Sequence, residues 1–112
     1  MTNIEELNLN DSILMGIEIQ QGQVELKINY IDDYDTQESS IKTLVFVDCS
    51  KFDFEMHYCY DSFGAIYCGT QKDLGDYIEY RIETITTASV MIIHAKELKL
   101  APMTKDCSRE EV

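Results

Sequence analysis

Basic side chains are scarce in this chain. Nine Lys and Arg residues stand against 21 Asp and Glu residues, which gives a formal net charge of −12 over 112 residues. Proteins that bind nucleic acid need Lys and Arg to displace counterions from the phosphates, and anionic membranes attract the same residues. The composition therefore argues against nucleic acid and against a membrane surface as partners. Basic proteins and cations remain the partners that this charge favours.

Long apolar runs are also lacking. The longest aliphatic or aromatic runs are four residues, Leu44–Val47 and Val90–Ile93, whereas a helix that crosses a bilayer needs about 20 residues. Residues 1–10 show neither the basic part nor the apolar part of a signal peptide. These observations predict a cytoplasmic protein.

Familiar cysteine spacings and catalytic motifs are absent from the sequence. The four cysteines form no C-x-x-C pair and no zinc-binding pattern, so we expect free thiols in a reducing compartment. There is no G-x-S-x-G elbow, no G-x-G-x-x-G and no phosphate-binding loop. The sequence therefore predicts no catalytic residues, no cofactor and no enzymatic activity.

What the chain does contain is alternation of apolar and polar residues with a period of two, which is typical of β-strands. The clearest case is a hairpin over Ile13–Tyr30 with a two-residue turn at Gln21-Gly22. Counting outward from that turn places every apolar pair on one face, so register and burial agree. The predicted pairs are Ile19–Val24, Ile17–Leu26, Met15–Ile28 and Ile13–Tyr30.

The remaining segments extend the β pattern. Predicted strands cover Ile41–Val47, Phe52–Tyr60 with a turn back into Ile66 and Cys68, Tyr77–Thr86, Val90–Ala95 and a last strand that ends at Pro102, and Gly69–Asp76 is predicted to be a polar loop. The pattern predicts an all-β fold, a seven- to eight-stranded antiparallel sandwich or partly closed barrel. We expect a single domain over residues 1–103, in which residues 1–10 can be flexible, and a charged, frayed tail at 104–112.

The acidic residues are concentrated at the start of the chain. Residues 1–41 carry nine acidic side chains and one base, Lys27, a local net charge of −8, and the connection Asp32–Ser40 has no base at all. Such a charge asymmetry predicts a surface that meets Lys and Arg on a protein partner, with tyrosines as apolar anchors. The predicted partner-binding residues are Glu18, Glu25, Asp32, Asp33, Tyr34, Asp35 and Glu38.

Two other sites stay open at this point. Asp53, Glu55 and His57 alternate along one strand and could bind a divalent cation, although neighbours on one strand face lie about 6.5–7 Å apart and converge poorly on one ion. An inner row of aromatic residues could line a ligand cavity, or it could simply form the core. That row comprises Phe52, Phe54, Tyr58, Tyr60 and Tyr80. His94, in an apolar stretch, is predicted to be a satisfied structural histidine.

A stretch near the N-terminus carries a resemblance to known families. It reads Leu9-Asn10-Asp11-Ser12-Ile13-Leu14-x-Gly16-Ile17-x-Ile19, followed by Val24-x-Leu26 and later by Leu44-Val45-Phe46. This pattern resembles small bacterial all-β families of unassigned function, some of which are described as immunity proteins of contact-dependent or polymorphic toxin systems. Many members have His before the Asp-Ser pair, where this chain has Asn10, and no functional residue is carried over. The resemblance implies a stoichiometric binder that blocks a toxin, often a basic nuclease.

The sequence thus leads to three functional hypotheses. The first is a non-catalytic acidic protein-binding domain, of the immunity type, that inhibits a basic toxin or nuclease. The alternative is a β-barrel that binds a small ligand or a divalent metal. The third is a structural module that forms homo-oligomers by pairing exposed strand edges.

Overall fold

The computed structural model describes residues 2–33, 35–55, 65–84 and 89–102. These residues form a short 3-10 helix and eight strands, and every strand pair is antiparallel. The helix is Ile4–Glu6, and the strands are β1 (Ile13–Gln20), β2 (Gln23–Asp33), β3 (Glu38–Val47), β4 (Lys51–Glu55), β5 (Ile66–Asp73), β6 (Ile78–Thr84), β7 (Val90–Ala95) and β8 (Glu97–Pro102). The predicted all-β antiparallel fold is confirmed.

The strands divide into two four-stranded sheets. The first has the order β1-β2-β3-β8 and the second the order β4-β7-β6-β5. In the described part of the chain the two sheets stay separate, so the sandwich form of the prediction is the one observed.

The two sheets are joined at a corner where the chain crosses between them twice. β3 leads into β4, and β7 leads into β8. At this corner the Lys96 N–H donates to the Val47 carbonyl at 2.9 Å, and the Ser50 N–H donates to the His94 carbonyl at 2.8 Å. Bends of this kind are how strands switch from one packed sheet to the other.

The core lies between the inner faces of the two sheets and follows the period of two. On β2 and β6, alternate residues point inward and are almost completely buried. These inward residues include Val24, Leu26 and Ile28 on β2 and Ile78, Tyr80 and Ile82 on β6. Burial of each such side chain stabilises the fold by about 1.5–3 kcal/mol, and this apolar layer holds the sandwich together.

Near its turn, the first hairpin has the predicted register. Ile19 lies opposite Val24 and Ile17 lies opposite Leu26. The turn residues Gln21 and Gly22 both have positive φ, 44° and 78°, which is the geometry of the tight turns that best match the twist of two paired strands.

Farther from the turn, the predicted register is wrong. A β-bulge between Leu14 and Gly16 inserts one extra residue, Met15, so that Leu14 pairs with Ile28 and Ile13 pairs with Asn29. A bulge reverses which side of the strand each following residue faces. Leu14 therefore becomes fully buried, whereas Met15 is 50% exposed.

The predicted polar loop at residues 69–76 is also wrong, because β5 continues to Asp73. Its polar side chains have structural uses that periodicity does not reveal. Gly69 makes room for two side chains: a Cβ at this position would lie 3.0 Å from carbon atoms of Ile4 and Leu9. Gln71 accepts the Ile4 N–H on its side-chain oxygen at 2.8 Å.

The predicted pairing of the Phe52–Tyr60 strand with Ile66 and Cys68 stays a prediction, because it rests on Tyr58 and Tyr60. β4 and β5 are opposite edges of the second sheet, and residues 58 and 60 lie outside the described part of the chain. Ile66 pairs with Thr84 on one side. On its other side it exchanges backbone hydrogen bonds with Asp11 and Ser12. In the described part of the chain, the segment before β1 therefore pairs with the start of β5 at Ile66.

Two residues of the N-terminal segment belong to the core, although the sequence allowed residues 1–10 to be flexible. Ile4 is 1% exposed and Leu9 is 2% exposed, and both pack with the buried residues of the two sheets. Their spacing fits neither a regular helix nor a strand, so a periodicity search overlooks them. The tail at 104–112 lies outside the described residues.

Candidate protein-binding hairpin

The most prominent feature beside the core is the hairpin formed by β2 and β3. The last pair of β2 with β1 involves Asn29, and the last pair of β3 with β8 involves Lys42. Beyond these points, in the described part of the chain, Tyr30–Asp33 and Glu38–Ser40 pair only with each other. Four residues of strand span about 13 Å. Among the described residues, the hairpin therefore extends beyond its neighbouring strands as a two-stranded ribbon.

Lys42 fixes the base of this ribbon. Its Nζ lies 2.9 Å from Asp32 Oδ1 and 4.6 Å from the centre of the Tyr30 ring. The Tyr30 hydroxyl in turn accepts a hydrogen bond from the Asn8 N–H at 2.9 Å. An ammonium group over an aromatic face is attracted by the ring quadrupole. These contacts connect the ribbon to the N-terminal segment and restrict its movement relative to the sheet.

Asp32 lies on the ribbon next to Asp33, but it contributes little free charge. Hydrogen bonds from Lys42, the larger effect, and from Ser40 lower the pKa of Asp32 below its usual value of 3.8. The carboxylate is thus ionised and already paired with a base of its own chain. Among the described partner-binding residues, Asp32 is therefore the one whose charge is neutralised by an ion pair within the chain.

The tip of the ribbon carries three exposed carboxylates, on Asp33, Asp35 and Glu38. Asp33 and Glu38 are cross-strand partners, and the Asp35 N–H donates to Asp33 Oδ1 at 2.9 Å. Within residues 2–33, 35–55, 65–84 and 89–102, none of the three carboxylates forms an ion pair. Tyr34, the predicted anchor beside them, lies outside the described residues. The tip is therefore a local concentration of negative charge at the end of a projection.

Glu18 and Glu25 lie elsewhere. They are cross-strand partners near the other end of the first hairpin, and each accepts a hydrogen bond from a glutamine two residues away. Glu25 and Asp33 are eight residues apart on one strand, which corresponds to about 25 Å. The structure thus divides the predicted surface into two separate patches, and it brings together only the residues of the ribbon.

The alternative metal site has two of its three members in the described residues. Asp53 and Glu55 are exposed on the edge strand β4, and their cross-strand partners are Ile92 and Val90. Apolar partners add no ligand from the neighbouring strand. No group of three His, Cys, Asp or Glu side chains in the described part of the chain could hold a metal ion. His57 lies outside that part, so the three-residue prediction stays a prediction.

The aromatic row belongs to the core where it is described. Tyr80 is fully buried and packs edge-to-face against Phe46, with ring centres 5.0 Å apart. Phe52 and Phe54 pack against the same core. Burial raises the pKa of the Tyr80 hydroxyl, with smaller contributions from Glu97 and Asp73. Tyr58 and Tyr60 lie outside the described residues, so the cavity hypothesis rests on no observed lining.

The Tyr80 hydroxyl has no hydrogen-bond partner among the described residues, and this leads to a prediction. We expect Tyr80→Phe to leave the free energy of unfolding unchanged or to raise it by up to about 1 kcal/mol, because it removes a buried polar group that costs desolvation. Tyr30→Phe is the matched control, since that hydroxyl accepts the Asn8 N–H, and it should lose about 0.5–1.5 kcal/mol. Urea denaturation of both variants and of the wild type gives the free energies of unfolding to be compared. A loss of more than about 1 kcal/mol in Tyr80→Phe would mean that the hydroxyl is bonded in solution.

His94 is a partnered structural residue, as expected. Its Nε2 lies 2.9 Å from Glu79 Oε2, and its ring stacks on Tyr77 with centres 4.6 Å apart. The cysteine expectation holds where it can be seen, because Cys49 and Cys68 are free thiols. Cys59 and Cys107 lie outside the described residues.

Sequence reasoning missed Lys42 and Asn8, which fix the base of the ribbon. A signal was present for Lys42. If the connection after Asp33 is counted as a tight turn, Tyr30 and Lys42 become near neighbours on one face. The connection Asp32–Ser40 was instead interpreted as a long loop. Asn8 lies in a segment without helical or strand periodicity, so the sequence did not indicate its contact.

The fold and this ribbon define a class: an antiparallel β-sandwich with an acidic two-stranded projection. Comparison with known proteins found no matching family model, no matching curated protein and no matching solved structure. No helix in the described residues is long and apolar enough to cross a membrane.

Proposed function

We propose that this protein is a non-catalytic binding domain whose acidic ribbon enters a basic surface of a protein partner. The observation that carries the proposal is the projection itself. Three carboxylates, on Asp33, Asp35 and Glu38, lie at the tip of a ribbon that extends about 13 Å beyond the neighbouring strands of the described part of the chain. A projection of this shape reaches into a cleft that a flat sheet face cannot enter.

The electrostatics favour the same partner. A net charge of −12 attracts a basic protein over long range and raises the rate of encounter. At the contact, Asp32 adds little charge because it is already paired with Lys42. The specific contact therefore falls on the tip, and the second patch at Glu18 and Glu25 contributes mainly to steering.

The partner that we propose is a basic toxin or nuclease, blocked in the manner of an immunity protein. This is the partner implied by the resemblance of residues 9–26 and 44–46 to bacterial all-β families. The proposed site of action is the cytoplasm. The free thiols of Cys49 and Cys68 are compatible with a reducing compartment.

Charge reversal tests the proposal. The double variant Asp33→Lys with Asp35→Lys should associate with the partner about tenfold more slowly than the wild type at low salt, and the difference should shrink as salt is added. The control is Asp73→Lys with Asp76→Lys, which changes the net charge equally. It also removes an equivalent turn contact, because the Gly75 N–H donates to Asp73 Oδ1 at 2.9 Å.

The partner is first captured on the immobilised wild-type chain from cells of the native source, and association is then measured by surface plasmon resonance. Equal rates for the two double variants would remove the ribbon tip as the contact and leave only a general charge effect. A captured partner with an acidic net charge would contradict the proposal outright.

A further inference from the structure

The N-terminal segment crosses the sandwich as a strap, which we define as residues 2–9. Its hydrogen bonds reach three strands. The Thr2 N–H donates to the Leu98 carbonyl on β8, the Ile4 N–H to the Gln71 side chain on β5, and the Asn8 N–H to the Tyr30 hydroxyl on β2. The strap thereby links strands of both sheets through irregular contacts.

Two buried side chains anchor the strap in a socket. Ile4 and Leu9 are 1% and 2% exposed, and both lie directly over Gly69, where a Cβ would approach their carbon atoms to 3.0 Å. The socket depends on the missing side chain of Gly69 and on the spacing between the two anchors. A ligand that fills it must present the same two apolar groups at the same separation.

A tight turn connects the strap to β1. The Ser12 N–H donates to the Leu9 carbonyl at 2.9 Å, and Asp11 within this turn has a φ of 70°. The left-handed region is unfavourable for residues with a side chain, although Asp tolerates it better than most. The turn is therefore a strained hinge, and strain in a short hinge favours exchange of the attached segment between molecules.

We propose that a second copy of the chain can supply the strap, which yields a dimer in which each strap fills the socket of the other molecule. A second copy is the occupant because it carries the same two anchors, so every contact of the socket is reproduced without a new interface. The exchange extends residues 9–12 and releases Asp11 from the left-handed region, at the cost of the hydrogen bonds that the Asp11 and Ser12 N–H groups donate to the Ile66 and Leu9 carbonyls. The net charge of −12 on each copy opposes the dimer, so salt favours it.

Hinge variants test the role of strain. After refolding at high protein concentration and high salt, Asp11→Val should lower the dissociation constant of the dimer about tenfold, and Asp11→Gly should raise it, because valine disfavours positive φ and glycine accepts it. Gln37→Val is the matched control, since Gln37 has a φ of 62° in a turn that is no hinge. It should lose stability without forming dimer. Light scattering after size-exclusion chromatography gives the masses.

A mixing experiment separates strap exchange from any other dimer. Ile4→Asp disables the strap and leaves the socket, whereas Gly69→Leu blocks the socket and leaves the strap. Each variant alone should be monomeric, and an equal mixture should form a one-to-one heterodimer, because the intact strap of one chain fills the intact socket of the other. A mixture that stays monomeric, together with wild type and Asp11→Val that stay monomeric after refolding, would overturn the proposal.

Discussion

Leu14→Ala should lower the free energy of unfolding by about 2–5 kcal/mol, and Met15→Ala should change it by less than about 0.5 kcal/mol. Leu14 is fully buried opposite Ile28, whereas Met15 is 50% exposed at the bulge. Truncation of a buried leucine loses its transfer free energy and leaves a cavity. Truncation of the exposed methionine does neither, so two adjacent residues of similar size should differ severalfold in effect.

This comparison tests the bulge directly. In the unbulged register that the sequence predicted, Met15 points inward and Leu14 outward, and the two effects would be exchanged. Urea or thermal denaturation of both variants, followed by circular dichroism, gives the two free energies. A larger loss for Met15→Ala than for Leu14→Ala would mean that the strand pairs without the bulge.

Ile4→Ala should also be strongly destabilising, by about 2–5 kcal/mol. Ile4 is 1% exposed and packs over Gly69 beside Leu9. Glu6→Ala, in the same short helix, is the control. Glu6 is exposed, so its truncation should change stability by less than about 0.5 kcal/mol.

The measurement for Ile4 has two parts. Chemical denaturation gives the global loss, and native-state hydrogen exchange of the Asn8 and Asp11 amides reports local release of the strap. Both amides donate hydrogen bonds to partners outside the strap, and both should exchange faster in Ile4→Ala. Equal stability of Ile4→Ala and the wild type would mean that the first ten residues are loose in solution, as the sequence alone suggested.

The class of fold followed from the sequence because period-two alternation runs through most of the chain. The turn at Gln21-Gly22 and the register of the pairs beside it were correct because the turn residues and the apolar pairs gave the same answer there, although Ile19 is 59% exposed. The bulge at Met15 broke the agreement, since Leu14 and Met15 are equally apolar and the pattern does not say which of them faces inward. Only the packing of the complete sandwich determines which of the two faces the core.

Composition misled where a residue serves a contact distant in sequence. Gly69 and Gln71 look like loop residues, yet one provides room for Ile4 and the other accepts its N–H. The candidate site shows the same limit. The acids at the tip of the ribbon were identified from charge alone. Charge alone did not show that Asp32 pairs with Lys42. It also did not show that the tip lies far from Glu18 and Glu25, because both facts depend on where the strands begin and end.

The corner between the sheets bears on how the protein unfolds. Both crossings of the chain lie at this one place, and the Lys96–Val47 and Ser50–His94 backbone hydrogen bonds close it. Because β3 continues into β4 and β7 into β8, neither sheet can come apart without pulling on a strand of the other. The two sheets are thus connected through their strands and share one core. We therefore expect the two sheets to be lost in a single cooperative transition, with no stage at which one sheet survives alone.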